Sequence, residues 1–488
     1  MFSAKFKLVL TLTPFLAALS FSQQSSPPPQ DHMQMNMQQH ENMQPVEPVY
    51  PILGRAQQSG EKLFSLADAQ RLASESNPTL RQAEAEIRAA KARTQQAGLY
   101  PNPSIGYTSD EIRGGSVNSG KQGFFLEQTL VTGGKLNKSR NIQQQQIRIA
   151  ELAAEQQKTR VETSVKIAFY RVLAAQECLE LRSDLSQIGQ SYQQSQAELS
   201  RTGQVDETEQ LESEIDVQRL HLAALEQENV LREQWRKLAA LIGQPDLPQS
   251  NVAGDLEHGW PELDEQKILD TIAQQSPATR IADANSNRAN AEITRAQSEI
   301  IPDINLLGGL EYNNEPLDTT SHSIGWEGLA EISIQIPIFN RNQGNIAAAQ
   351  AERDGSQLEK QRIQLLLRER AESVLDQYAT AKVVATQYRE EILPRARKAN
   401  LLMTEKYGQM QASYPRMLEV RRKNFQLAAE YVQTLEIVWT SSLALQGFLL
   451  TDGLESPVQF GGSTPSSANS NSLMPQSSIL PLKAMPHP

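Results

Sequence analysis

Residues 326–352, WEGLAEISIQIPIFNRNQGNIAAAQAE, change periodicity partway along. Trp326, Gly328, Ala330, Ile332, Ile334, Ile336 and Ile338 fall on one side of an extended chain. Glu327, Glu331, Ser333 and Gln335 fall on the other, with Leu329 as the exception. A period of two predicts a strand with one apolar and one polar face. Pro337 removes a ladder donor, and Asn340–Asn345 reads as a turn. Beyond Gly344 the composition becomes rich in Ala, Gln, Glu, Lys and Arg, which predicts about 60 residues of helix. A strand that feeds so long a helix suits a β-barrel joined to a helical tube.

The same plan occurs earlier in the chain. Residues 121–130 alternate, with Phe124, Leu126 and Leu130 opposite Glu127 and Thr129. Thr132-Gly133-Gly134-Lys135 forms the turn, and a Gln/Arg/Glu-rich helical stretch follows. Further pairs of features lie about 200 residues apart. Helical residues 64–99 are broken at Asn77-Pro78, as 263–299 are at Ser276-Pro277. Tyr100-Pro101-Asn102 matches Ile301-Pro302-Asp303, and a strand follows each, near 104–110 and 303–312. The opening strand is placed at 325–337.

The long helices carry apolar residues at steps of four and three. Val161, Val165, Ala168, Val172, Ala175 and Leu179 form one such seam; Leu367, Ala371, Val374, Tyr378, Ala381 and Ala385 form the other. Helix 136–202 turns at Thr202-Gly203 and returns over 207–242. The second helix is expected to kink at Pro394, turn at Tyr407-Gly408 and return over 417–449.

The 488 residues are 39% apolar and 6% aromatic, with a formal net charge of -11. This composition favours long solvated helices over one thick core. The acidic balance argues against nucleic acid as a partner. Lys5 and Lys7 before the apolar run 8–21 read as a secretory leader over 1–22. No other run is long and apolar enough to span a membrane as a helix, so insertion would require a barrel. Cys178 is the single cysteine and reads as a small apolar helix residue. No catalytic constellation, phosphate loop or cofactor motif is present, so neither enzyme activity nor a cofactor is expected.

The predicted organisation is a leader (1–22), a disordered Met/His/Pro/Gln-rich segment (23–60), repeat 1 (63–245), a connector (246–262), repeat 2 (263–450) and a disordered tail (451–488). The fold class is mainly α, with long helical hairpins, plus four membrane strands per chain. Four strands cannot close, and an open edge is not tolerated in lipid. The smallest closed membrane barrels use about eight strands. Three copies would supply twelve.

The run FSLADAQRLASESNPTLRQAEAEIRAAKARTQQAGLYPNPSIGY, the VTGGKL and IPIFNRNQGNIAAAQAE turns and the internal duplication together resemble the TolC-like outer membrane efflux family, in its heavy-metal branch. The resemblance spans about residues 63–450. It implies a homotrimer in outer-membrane lipid with a periplasmic tunnel, docked to a periplasmic adaptor and an inner-membrane transporter. Two other classes are disfavoured. A periplasmic adaptor would carry one hairpin, and a structural coiled coil needs no amphipathic strands.

The same resemblance implies a gate at the hairpin tips, assigned to Gly203 and Glu209 in the first repeat and Tyr407, Arg416 and Glu419 in the second. Met410 stands where glycine is expected. Arg416 stands where a further acid would be, which suggests Glu/Arg pairing across the tip. A separate motif is residues 32–43, HMQMNMQQHENM. Its His32, Met33, Met35, Met37, His40 and Met43 are soft ligands suited to Cu(I) or Ag(I). Copper or silver is therefore the favoured cargo, with other small toxic compounds as the alternative.

Overall fold

The computed structural model describes residues 63–110, 120–201, 206–316 and 323–457. The elements follow the duplicated plan. β1 (Phe64–Ser65), α1 (Leu66–Ser76), α2 (Pro78–Ala97), β2 (Ser104–Asp110), β3 (Lys121–Leu130), α3 (Lys135–Arg201) and α4 (Glu207–Ile242) make the first repeat. After β4 (Val252–Ala253) come α5 (Glu265–Gln275), α6 (Pro277–Ser298), β5 (Ile304–Pro316), β6 (Ser323–Ile334), α7 (Gln343–Gln387), a π turn (Tyr388–Ile392), α8 (Leu393–Gly408) and α9 (Tyr414–Gln446). At 67 residues α3 is about 100 Å long.

The breaks between paired helices have local causes. The Asn77 side chain accepts the Thr79 amide at 2.9 Å and donates to the Leu241 carbonyl at 2.7 Å, capping α2 while tying it to α4. Ser276 caps α6 through the Thr279 amide at 3.2 Å. In both repeats a proline follows the cap, where its missing donor costs nothing.

The four long strands form one antiparallel sheet in the order β2-β3-β5-β6. Tyr107 lies opposite Phe124, Leu126 opposite Gly308, and Tyr312 opposite Trp326. Ile105, Phe124, Leu310, Trp326 and Ile332 are each more than half exposed, so one face is a continuous apolar surface. On the other face Glu311 lies directly opposite Glu327, a repulsive pairing that Lys121 offsets from 3.6 Å. Because β3 and β6 run parallel, α3 and α7 leave from the same edge of the sheet. At that edge Lys135, 4% exposed, reaches Asp303 at 2.9 Å and Glu299 at 3.3 Å, joining the two repeats.

The strands occupy the expected places with shifted ends. β5 runs on to Pro316, and β6 stops at Ile334 rather than at Pro337, because the residues beyond have no partner strand among the described residues. The main core lies further along the helices, where Phe169 and Leu173 of α3, Leu238 of α4 and Tyr431 and Leu435 of α9 are fully buried. Each such side chain contributes about 1.5–3 kcal/mol. The connector is fixed to this core. Val252 pairs with Phe64, and its amide donates to the buried Gln176 side chain at 2.9 Å. The Trp235 indole donates to the Leu247 carbonyl, and those of Trp260 and Trp439 both donate to the Leu256 carbonyl.

The kink expected at Pro394 takes the form of the π turn just before it. Proline cannot donate to the carbonyl one turn back, and a π turn redistributes the freed acceptors. Tyr388 in this turn donates to Glu430 at 2.9 Å and stacks on Tyr431. Burial, reinforced by Glu430, pushes the Tyr388 hydroxyl up to about 12.

Candidate functional site

The ends of the helical hairpins hold the residues assigned to a gate. Gly203 lies outside the described residues, as does the whole of residues 32–43. Glu209 sits in the first turn of α4, exposed at the positive end of the helix dipole. Tyr407 is in the last turn of α8, half-buried. Arg416 and Glu419 occupy the start of α9 and pair with each other at 2.5 Å, both exposed. This pairing joins neighbours on one helix face, three residues apart. It does not cross between hairpins.

The turn after α8 explains Met410. The Gln411 amide donates to the Lys406 carbonyl at 2.8 Å and the Met410 amide to the Tyr407 carbonyl at 3.0 Å. This is a Schellman closure, with Met410 in the left-handed position at φ 57°. Glycine is favoured there because a Cβ crowds the following carbonyl. The corresponding closure of α4 does use glycine, Gly243 at φ 86°.

A cluster spanning both hairpins lies just behind these turns. Tyr192 of α3 is buried, and its hydroxyl accepts from Gln196 at 2.6 Å. Burial raises this hydroxyl above the usual phenol range, and the fields of Glu209, Tyr407 and Asp216 raise it further. Asp216 of α4 pairs with Arg422 of α9 at 3.1 Å. On α9 the buried seam runs Met417, Arg421, Asn424, Ala428, Tyr431, so two polar residues occupy positions that are otherwise apolar. Asn400 of α8 is fully buried nearby in sequence terms, three residues before Met403. A polar stretch in a seam specifies register at a cost in stability. The tip half of the second hairpin is therefore held less firmly than the aromatic half around Tyr431 and Trp439.

Asp216 and Arg422 were not among the residues singled out from sequence. The Arg421-Arg422-Lys423 run breaking a four/three pattern was the available signal. Among the described residues no group of three or more His, Cys, Asp or Glu side chains is arranged to hold a metal ion. Cys178 is buried, and desolvation pushes its thiol up to about 12, which makes it inert.

The sequence profile of the family described as outer membrane efflux protein matches residues 70–244 and 268–449. The cobalt-zinc-cadmium resistance protein CzcC of Cupriavidus metallidurans is 22% identical over 386 residues, 79% of this chain and 90% of its own length. A crystal structure of CusC superposes with a TM-score of 0.64 at 17% identity, covering 82% of this chain and 97% of that one. The Campylobacter jejuni CmeC outer membrane channel gives 0.61 at 17% identity, covering 80% and 86%.

Proposed function

Since the chain belongs to the outer membrane efflux protein family, acting as a passive channel of the outer membrane and not as an enzyme, we propose that three copies assemble into one conduit for metal cations. The observation that carries this reading is the open four-stranded sheet with an exposed apolar face, attached at one edge to both long helical hairpins. Three sheets supply twelve strands and close the barrel that lipid requires. Six hairpins then continue it as a tube in the periplasm, where a periplasmic adaptor and an inner-membrane transporter deliver cargo.

The cargo assignment rests on two things. CzcC is by name a cobalt-zinc-cadmium resistance protein, and residues 32–43 carry thioether and imidazole ligands suited to Cu(I) or Ag(I). Residues 32–43, within the Met/His/Pro/Gln-rich segment 23–60, assist capture of ions near the channel. Domain limits of 63–245 and 263–450 for the repeats, with a leader over 1–22 and a tail over 451–488, complete the reading.

The gate is assigned to Gly203, Glu209, Tyr407, Arg416 and Glu419, backed by the Asp216–Arg422 tie. Export assays in cells lacking the protein test the cargo: restored copper or silver tolerance on complementation supports it, and unchanged tolerance to every metal tried removes it.

A further inference from the structure

The polar face of the sheet contains a row with only two side chains. Gly106 of β2 lies opposite Phe125 of β3, Phe125 opposite Gly309 of β5, and Gly309 opposite Leu329 of β6. The rows on either side hold carboxylates. Away from the helices Glu311 faces Glu327, and toward the helices Glu127 and Glu331 flank Leu307. In the conduit proposed above this face lines the lumen, so an apolar row lies between two acidic ones.

Phe125 lies along the wall. It is half-buried, whereas Phe124 and Leu126 on the opposite face are 66% and 50% exposed. The far end of its ring occupies the space above Gly106. A methyl group on Gly106 would come 2.3 Å from the ring Cζ and 2.5 Å from Cε1. Both separations are well inside carbon–carbon contact, so ring and methyl exclude each other.

The glycines of this face have different causes. A methyl on Gly309 would meet the Phe124 carbonyl oxygen at 2.8 Å, and one on Gly123 would meet the Leu310 carbonyl oxygen at 2.3 Å. Both positions answer to backbone crowding. At Gly106 the three nearest atoms all belong to the Phe125 ring. Its backbone is that of an ordinary strand residue, which does not call for glycine. Glycine weakens a strand, so its presence at 106 is explained by the space it leaves for the ring.

We propose that Gly106 is a berth that holds Phe125 against the barrel wall, and that this pair sets the bore of the lumen at its row. The inference rests on the conduit reading and adds a positioning residue to it. Turned off the wall, the ring of each copy would project inward and form an apolar constriction between the acidic rows. Hydrated cations cross such a constriction at a cost, because it offers no polar group in place of their water. Folded onto Gly106, the ring leaves the water column continuous from one acidic row to the next.

Size-graded thiol labelling tests the berth. Ser333 is on the same face as Glu331 and Leu329, beyond the Phe125 row for a reagent entering from outside the cell. Cys178 is buried, so S333C supplies the reactive thiol. Maleimides on polyethylene glycol chains of increasing length are added to intact cells carrying full-length S333C protein, and the longest that reacts measures the bore. G106A in this background is expected to lower the limit. Adding F125A to G106A is expected to restore it, because the displaced ring is removed. F125A alone, which leaves Gly106 unaltered, is expected to keep the limit of S333C. An unchanged limit for G106A, in protein that native mass spectrometry shows as a trimer, would overturn the berth. A lowered limit that F125A fails to restore would also overturn it, because the methyl would then act through the strand. Where G106A fails to assemble, F125A alone decides: an unchanged limit supports the parked ring, and a raised one shows that the ring already stands in the lumen. Single chains by native mass for S333C itself would instead remove the conduit reading.

Discussion

Arg422 of α9 meets Asp216 of α4 at 3.1 Å, and this ion pair ties the returning helix of the second hairpin to that of the first. Both side chains are partly exposed, so the pair contributes about 0.2–1 kcal/mol. Its position matters more than its strength, because it sits beside the buried polar stretch of Arg421 and Asn424. Asp216→Asn is expected to shift the closed-to-open ratio toward open by up to about fivefold, measured as single-channel conductance in planar bilayers. Conductance at or below that of the unaltered protein would remove the pair from gating.

Glu209 forms no ion pair among the described residues, whereas Glu419 is neutralised by Arg416. Glu209→Ala is therefore expected to lower the preference for cations over anions. Glu419→Ala should do the same by unpairing Arg416. Removing Arg416 and Glu419 together conserves net charge and should leave selectivity unchanged. Reversal potentials in asymmetric salt distinguish these cases.

Met410 holds a left-handed conformation at φ 57° with its side chain 78% exposed. Met410→Gly loses little packing and relieves about 1 kcal/mol of backbone strain. The expected result is a more stable tip, read as slower proteolysis at the second hairpin turn. Faster cleavage would show that the Met410 side chain has a partner in the assembly.

The junction at Lys135 predicts an acid limit. Burial alone would push the Asp303 carboxyl up, but the Thr132 amide and the Lys135 ammonium outweigh it and hold it below the usual carboxylate range. A carboxyl depressed on folding stabilises the fold above its unfolded value, near about 3.9, and loses that contribution as pH falls through the lower folded value. Melting measured at pH 7 and at about pH 3 should show a smaller difference for Lys135→Met than for the unaltered protein. At pH 7 the variant should be about 1.5–3 kcal/mol less stable, as expected for losing hydrogen bonds between charged groups.

Deleting residues 31–43 is expected to lower copper or silver tolerance while leaving assembly intact. A peptide of this segment should compete for Cu(I) with a chromogenic chelator, weakly because it has no cysteine. No competition would remove the direct support for a soft-metal cargo.

The strands and hairpins were legible because each has a single period over many residues and because the chain states its plan twice. The VTGGKL turn could be matched to a helix start, and Asn77-Pro78 to a helix break, from residue chemistry alone. The end of β6 was less legible: Gln335–Pro337 alternate correctly, yet a strand ends where its partner does, and the β5 ladder ends at Ile304 opposite Ile334. The connector read as irregular because its order comes from indole donors at Trp235, Trp260 and Trp439 that reach its carbonyls from other elements. Asp216 and Arg422 are ordinary helix charges until two hairpins are packed side by side. Glu209 and Tyr407 were placed at the tips by resemblance, and they lie in the first turn of α4 and the last turn of α8.

In the proposed assembly an open sheet of four strands becomes a closed conduit only by combining three chains. Native mass spectrometry of the detergent-extracted protein tests it most directly. Particles of three chains that fall to one chain after heating in denaturant are expected. A stable, monodisperse single chain in the absence of detergent would contradict it.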